Sequence, residues 1–135
     1  MKSKIGIVIC LFLICSCDNH DFMLEEKEQS IIICNMLFFT IEPVDSLSNS
    51  CSYSIVLREK KPCREVDTVP LKKRIPHKFE VREWSPITQE FQYQPLYIKL
   101  LPNTKYIISH YGMGAKVNII KYYHTDSLGK LHPDD

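Results

Sequence analysis

The chain has 135 residues, 17 Lys and Arg against 16 Asp and Glu, and a formal charge of +1. Such a balance exerts no global pull on nucleic acid, so a nucleic-acid partner is not expected. The length is enough for one domain with a proper core.

Residues Met1 to Ser16 have the layout of a secretory signal, with Lys2 and Lys4 ahead of the apolar stretch Ile5 to Ile14. About ten apolar residues are half of what a membrane-spanning helix needs, so a cleaved signal is expected and not a permanent anchor helix. Ile14-Cys15-Ser16-Cys17 then resembles the bacterial lipobox: an aliphatic residue, two small residues that fit a narrow peptidase site, and a nucleophilic thiol. The resemblance implies cleavage before Cys17 and attachment of lipid to that cysteine, with two or three acyl chains giving stable retention on a membrane. Asp18 to Phe22 follow, and acidic residues just past the lipid cysteine resemble the surface-export signal of Bacteroidota-type lipoproteins. The expected address is the outer membrane, on its periplasmic face or the cell surface.

Removal of residues 1–16, 135 less 16, leaves 119 residues with 15 basic and 16 acidic side chains. Asp18, Asp21, Glu25, Glu26 and Glu28 make the start acidic, and Arg58, Lys60, Lys61, Arg64, Lys72, Lys73, Arg74 and Lys78 make the middle basic. A solvated face accounts for that basic stretch, and contact with acidic glycans or lipid headgroups is the other reading. Beyond Cys17 three cysteines remain: Cys34, Cys51 and Cys63. If residues 52–59 form a strand of about 26 Å, four further residues cannot bring Cys63 back to within about 7 Å of Cys51. Cys34, at the same end of the domain as Cys63 on this reading, is the expected disulfide partner.

Residues 17–29 read as the lipidated cysteine and a polar tether, and 126–135 as a tail. Between them, 30–125 reads as strands. Ile31 to Ile41 is a nearly unbroken apolar run, expected as one strand buried on both sides. Tyr53 to Leu57 places Tyr53, Ile55 and Leu57 on one face. The stretch 60–91 is irregular, punctuated by Pro62, Pro70, Pro76 and Pro86, with Lys78 to Arg82 alternating as a short edge strand. Leu96, Ile98 and Leu100 predict another strand, and Tyr106 to Tyr111 and Lys116 to Tyr123 two more, across the Gly112-Met113-Gly114 loop. Short strands spaced by turn residues, without a helix pattern, predict an all-β sandwich.

Leu100-Leu101-Pro102-Asn103-Thr104-Lys105-Tyr106 fits Leu-x-Pro-x-Thr-x-Tyr, followed by a Tyr-rich strand, a Gly-containing loop and a last strand ending Tyr122-Tyr123-His124-Thr125. This order resembles the E–F corner of fibronectin type III domains. The resemblance implies an immunoglobulin-like sandwich with a tyrosine corner built from Leu100, Pro102, Thr104 and Tyr106, the Tyr106 hydroxyl bonding to backbone upstream. The inward Trp often seen in the second strand is missing, and Trp84 falls in the irregular region.

No nucleophile elbow, zinc-helix motif, paired Cys-x-x-Cys or phosphate loop occurs, and His20, His77, His110, His124 and His132 lack metal-ligand spacing. Neither catalysis nor a cofactor is therefore expected. Tyr93, Tyr97, Tyr111, Tyr122 and Tyr123 suit half-buried sheets and equally a face that binds sugar or protein. Asp45-Ser46-Leu47, Asp67-Thr68-Val69 and Asp126-Ser127-Leu128 resemble an acceptor motif for periplasmic O-glycosylation, making Ser46, Thr68 and Ser127 candidate acceptors in loops or strand ends; ordinary Asx turns explain them equally. The expected function is a lipid-anchored envelope module that contacts a partner protein. A glycan-binding accessory and an inhibitor or immunity-type lipoprotein are the alternatives. Replacing Cys17 with Ser is expected to leave a signal-bearing precursor that takes up no labelled lipid; unchanged labelling overturns the anchoring.

Overall fold

The structure, a computed structural model, describes residues 20–45, 47–59, 66–111 and 118–134. Ten antiparallel strands build it: β1 (Phe22–Glu25), β2 (Ser30–Cys34), β3 (Phe38–Pro43), β4 (Ser52–Leu57), β5 (Val66–Pro70), β6 (Phe79–Ser85), β7 (Glu90–Tyr93), β8 (Lys105–Tyr111), β9 (Asn118–Thr125) and β10 (Leu131–Pro133). They form a β-sandwich of a three-stranded sheet, β1-β2-β5, and a seven-stranded sheet, β10-β9-β8-β3-β4-β6-β7. Among the described residues no helix is long and apolar enough to cross a membrane.

Alternation explains the layers. Phe22, Ile31, Ile33 and Val69 point inward from the small sheet, and Phe39, Ile41, Tyr53, Ile55, Phe79, Val81, Tyr106, Ile108 and Tyr123 meet them from the large one. Phe22 sets its ring edge-on against Phe39, with centroids 5.4 Å apart, so the first strand is stapled to the opposite sheet.

Several expectations need correction. The apolar run 31–41 is two strands in different sheets, because Asn35 adopts a left-handed φ of 51° and turns the chain across the sandwich. Asn tolerates that conformation where Ile or Phe does not. The polar tether contains β1, whose four residues pair with β2 and bury Phe22. The tail contains β10, which pairs with β9 and buries Leu131. Lys78 to Arg82 is no edge: β6 lies between β4 and β7. Residues 96–100 form no strand, although Ile98 is buried; the Leu96 carbonyl accepts from Ile75 N–H and Lys99 N–H donates to the Tyr53 hydroxyl. The Gly112-Met113-Gly114 loop lies outside the described residues.

Strand direction gives the sandwich two poles. The amino-terminal lead-in at His20 and the β2–β3 crossover lie at one, beside Tyr111 at the end of β8. The turns after β3, β6 and β9 lie at the other. There Tyr106, fully buried, accepts the Leu101 N–H on its hydroxyl at 2.9 Å and shares a 2.5 Å hydrogen bond with Ser50 Oγ. Thr125 Oγ1 donates to Leu101 O at 2.5 Å and accepts from Thr104 N–H at 2.9 Å, clamping the other side of the same loop. Asn103, at φ 51°, completes the Pro102-Asn103 turn. Burial raises the Tyr106 pKa, so the ring acts here as a neutral hydrogen-bonding strut. Tyr106→Phe strands the Leu101 amide and is expected to cost about 1–3 kcal/mol. Equilibrium denaturation reads this as a lower midpoint at unchanged slope; an unshifted midpoint removes the strut.

Candidate functional site: an outward-facing aromatic hairpin

Strands β6 and β7 pair in the register Arg82↔Tyr93, Glu83↔Gln92, Trp84↔Phe91 and Ser85↔Glu90. Residues 86–89 make the turn, closed by a 2.8 Å bond from Gln89 N–H to Ser85 O, with Gln89 at φ 55°. Phe79 and Val81 face the core, so period-2 alternation sends Arg82 and Trp84 to the solvent side, together with Tyr93 and Phe91 opposite them. Glu83, Glu90 and Gln92 take the other side of the hairpin, where Glu90 and Gln92 are exposed as well.

Phe91 is 59% exposed and Tyr93 64%, and Ile87 on the turn is 71% exposed. Trp84 and Phe91 hold their rings 4.8 Å apart and tilted by 51°, while the Arg82 guanidinium lies 5.3 Å from the Tyr93 ring centroid. Where β7 ends, Gln94 covers the rim of β6: its N–H donates to Val81 O at 2.9 Å and its Oε1 accepts from Val81 N–H at 2.7 Å. The open edge is thereby restricted to β7 itself.

The five tyrosines singled out from the sequence do not share a face. Tyr93 and Tyr122 project from the outer face of the large sheet, as does Tyr111 beside Phe38. From β7 to β9 is five strand steps, about 24 Å at the usual spacing. Tyr97 is exposed on a loop. Tyr123 belongs to the core, and desolvation with the nearby Asp21 pushes its pKa up to about 12. Phe91 and the role of Trp84 were not anticipated; the signal was Phe91 and Tyr93 alternating with Glu90 and Gln92 after a turn.

Two histidines do meet. His124 and His132 face each other across β9 and β10, with ring centroids 5.7 Å apart. Both nitrogens of His132 see carboxylates: Nε2 lies 2.8 Å from Asp126 and Nδ1 3.5 Å from Glu26. The Asp126 hydrogen bond raises the His132 pKa, and the same contact with the Lys130 amide holds Asp126 down at about 2. Among the described residues no group of three His, Cys, Asp or Glu side chains is arranged to hold a metal ion.

Of the expected modification sites, Cys17, Ser46 and Cys63 lie outside the described residues. Thr68 is exposed, but in the middle of edge strand β5 and not in a loop; its neighbour Asp67 is buried and ion-paired to Lys78 at 3.0 Å. Ser127 is exposed on a turn where Asp126 Oδ1 accepts from Leu128 N–H at 2.8 Å. In the basic middle, Arg58, Lys72, Lys73, Arg74 and Lys78 are exposed, while Lys60, Lys61 and Arg64 lie outside the described residues. Leu100 packs against the core, and Thr104 Oγ1 donates to Pro102 O at 2.9 Å.

Cys34 is buried at the end of β2, in register with Val66. Cys63 precedes Val66 by three residues, and three residues of chain span at most about 10 Å. Cys51 carries a free thiol at the opposite pole, its pKa raised by burial and then by Glu83. Non-reducing peptide mapping is expected to join Cys34 to Cys63 and to find Cys51 alkylated; Cys51 in the bridge overturns the pairing. No protein family, curated protein or solved structure matches the chain.

Proposed function

We propose that this chain is a non-catalytic binding module of the cell envelope, held on a membrane by lipid on Cys17, that contacts a partner protein through the outward face of the β6–β7 hairpin. The outward aromatic side of the hairpin carries the reading: Phe91 and Tyr93 stand exposed beside Trp84 and Arg82 on one side of β7, while Glu90 and Gln92 on its other side are exposed as well. Burial within the fold does not favour that arrangement, whereas burial against a second molecule does. Trp, Tyr and Arg, present as Trp84, Tyr93 and Arg82, are the residues most enriched where protein interfaces concentrate their energy. The 51° tilt between Trp84 and Phe91, and the guanidinium over Tyr93, suit an interdigitated protein surface better than the flat stack that a sugar ring needs.

Two further observations support the wider reading. β1, β2 and β5 share one sheet and β3, β8 and β9 adjoin in the other, the grouping that strands A, B, E and C, F, G have in immunoglobulin-like sandwiches. Tyr106 bonding to Leu101 agrees with a fibronectin type III-like corner. The hairpin turn also lies at the pole away from His20, where a tether on the amino-terminal side leaves it accessible. Membranes carrying the full chain and solubilised in detergent provide the test. Phe91→Ala with Tyr93→Ala is expected to weaken retention of the partner at least about tenfold, with the melting temperature unchanged. Unaltered retention overturns the hairpin as the contact, and hairpin-dependent binding on a glycan array in place of a protein overturns the partner class.

A further inference from the structure

His110 closes a circuit of hydrogen bonds between three separate pieces of chain. It is fully buried on the inward side of β8, at the pole where the amino-terminal lead-in meets the fold. Its Nε2 lies 2.9 Å from the backbone N–H of Leu37. An amide can only donate, so Nε2 is the bare nitrogen and Nδ1 carries the proton. That proton is donated to the carbonyl of His20 at 2.7 Å. The His20 ring turns back on the crossover and donates from its own Nδ1 to the carbonyl of Asn35 at 3.2 Å. The two rings lie 5.8 Å apart. The lead-in, the β2–β3 crossover and β8 are therefore joined through one neutral imidazole in a single tautomer.

We propose that His110 is an acid-operated latch: in its neutral form it fastens the lead-in and the crossover to β8, and protonation of its ring releases the crossover. A proton on Nε2 sets two donors head to head across 2.9 Å, so the Leu37 amide must withdraw. Among the described residues no carboxylate is placed to neutralise the new charge. The lead-in brings His20, a second basic ring, and Asp21, whose carboxylate is engaged by Lys121 Nζ from β9 at 2.9 Å. Lys121 also donates to the Phe22 carbonyl. β3 offers the apolar ring of Phe39 and β9 offers Ile119, opposite His110 in the register, while at the end of β2 the Cys34 backbone N–H donates to Asp21 O at 3.0 Å. Burial lowers the His110 pKa, with the hydrogen bond to His20 opposing it. The folded ring therefore binds its proton more weakly than the unfolded chain does. The latch is fully closed above the unfolded value of about 6.5, and its contribution is lost as pH falls from there through the lower folded value. Opening breaks the bond from the Leu37 amide to β8, while the imidazolium keeps its Nδ1–H bond to the His20 carbonyl, so the lead-in stays on β8 and only the crossover slackens.

Imidazole ¹⁵N spectra and amide exchange of the full chain in detergent micelles test this. The expected result is an Nδ1–H tautomer for His110 with a midpoint below about 6.5. Corrected for intrinsic rates, Leu37 exchange relative to Ile55 should rise at least about tenfold between about pH 7.5 and pH 5. His110→Phe should give the fast Leu37 exchange at both pH values, and His20→Ala, which keeps the carbonyl, should keep the pH response. An Nε2–H tautomer, a midpoint at or above the ordinary value, or a Leu37 ratio indifferent to pH overturns the latch. The wild-type spectra decide the matter even if the Phe variant does not fold.

Discussion

Asn35, Met36 and Leu37 carry the chain out of the small sheet and into the large one, and the backbone groups in that passage have no ladder to join. The surrounding structure supplies their partners one by one. Asp21 O takes the Cys34 N–H, the His20 ring reaches Asn35 O, and His110 accepts the Leu37 N–H. A buried amide without a partner costs about as much as several ordinary hydrogen bonds contribute, so the crossover commits the lead-in and β8 to their places. That commitment positions Phe22 against Phe39 and sets which faces of β2 and β3 become the core.

The opposite pole solves a similar problem with different chemistry. The chain must pass from the end of β7 to the start of β8, and it does so without a strand. Tyr53 and Tyr106 present hydroxyls to Lys99 and Leu101, and Thr125 clamps Leu101 and Thr104. Hydroxyls serve here because they rotate to meet donors or acceptors as needed. The pole is rigid at its base, and the β6–β7 turn rises from it. The proposed contact face thus sits on paired strands and not on a loop, which favours a fixed presentation of Trp84, Phe91 and Tyr93.

The uneven size of the sheets gives that face its character. Three strands face seven, so β7 extends beyond the small sheet's cover. With little core to reach, the hairpin is free to turn its aromatic side outward, and Gln94 covers the adjacent rim. β2, β3 and β8 build most of the core, and β6 serves two ends: Phe79 and Val81 enter that core, while Arg82 and Trp84 join β7 in the proposed contact face.

The sequence by itself determined the all-β class, the strands β4, β8 and β9, and the corner at Tyr106. Each of these rests on local chemistry: two-residue alternation over five or more positions, or a proline and a tyrosine four residues apart in one turn. Only the tertiary structure decided the rest. β1, β5, β7 and β10 are strands of three to five residues with mixed polarity, and their identity comes from the partner they pair with. Leu96, Ile98 and Leu100 alternate equally well yet have no partner strand, so they remain a loop. The division of 31–41 depended on one left-handed Asn, invisible in a continuous apolar run. Trp84 and the tyrosines were visible as residues but not as faces, because a face is fixed by register with strands far along the chain. His20 and His110, 90 residues apart, became one circuit only when the fold placed a carbonyl and an amide on either side of a single buried ring.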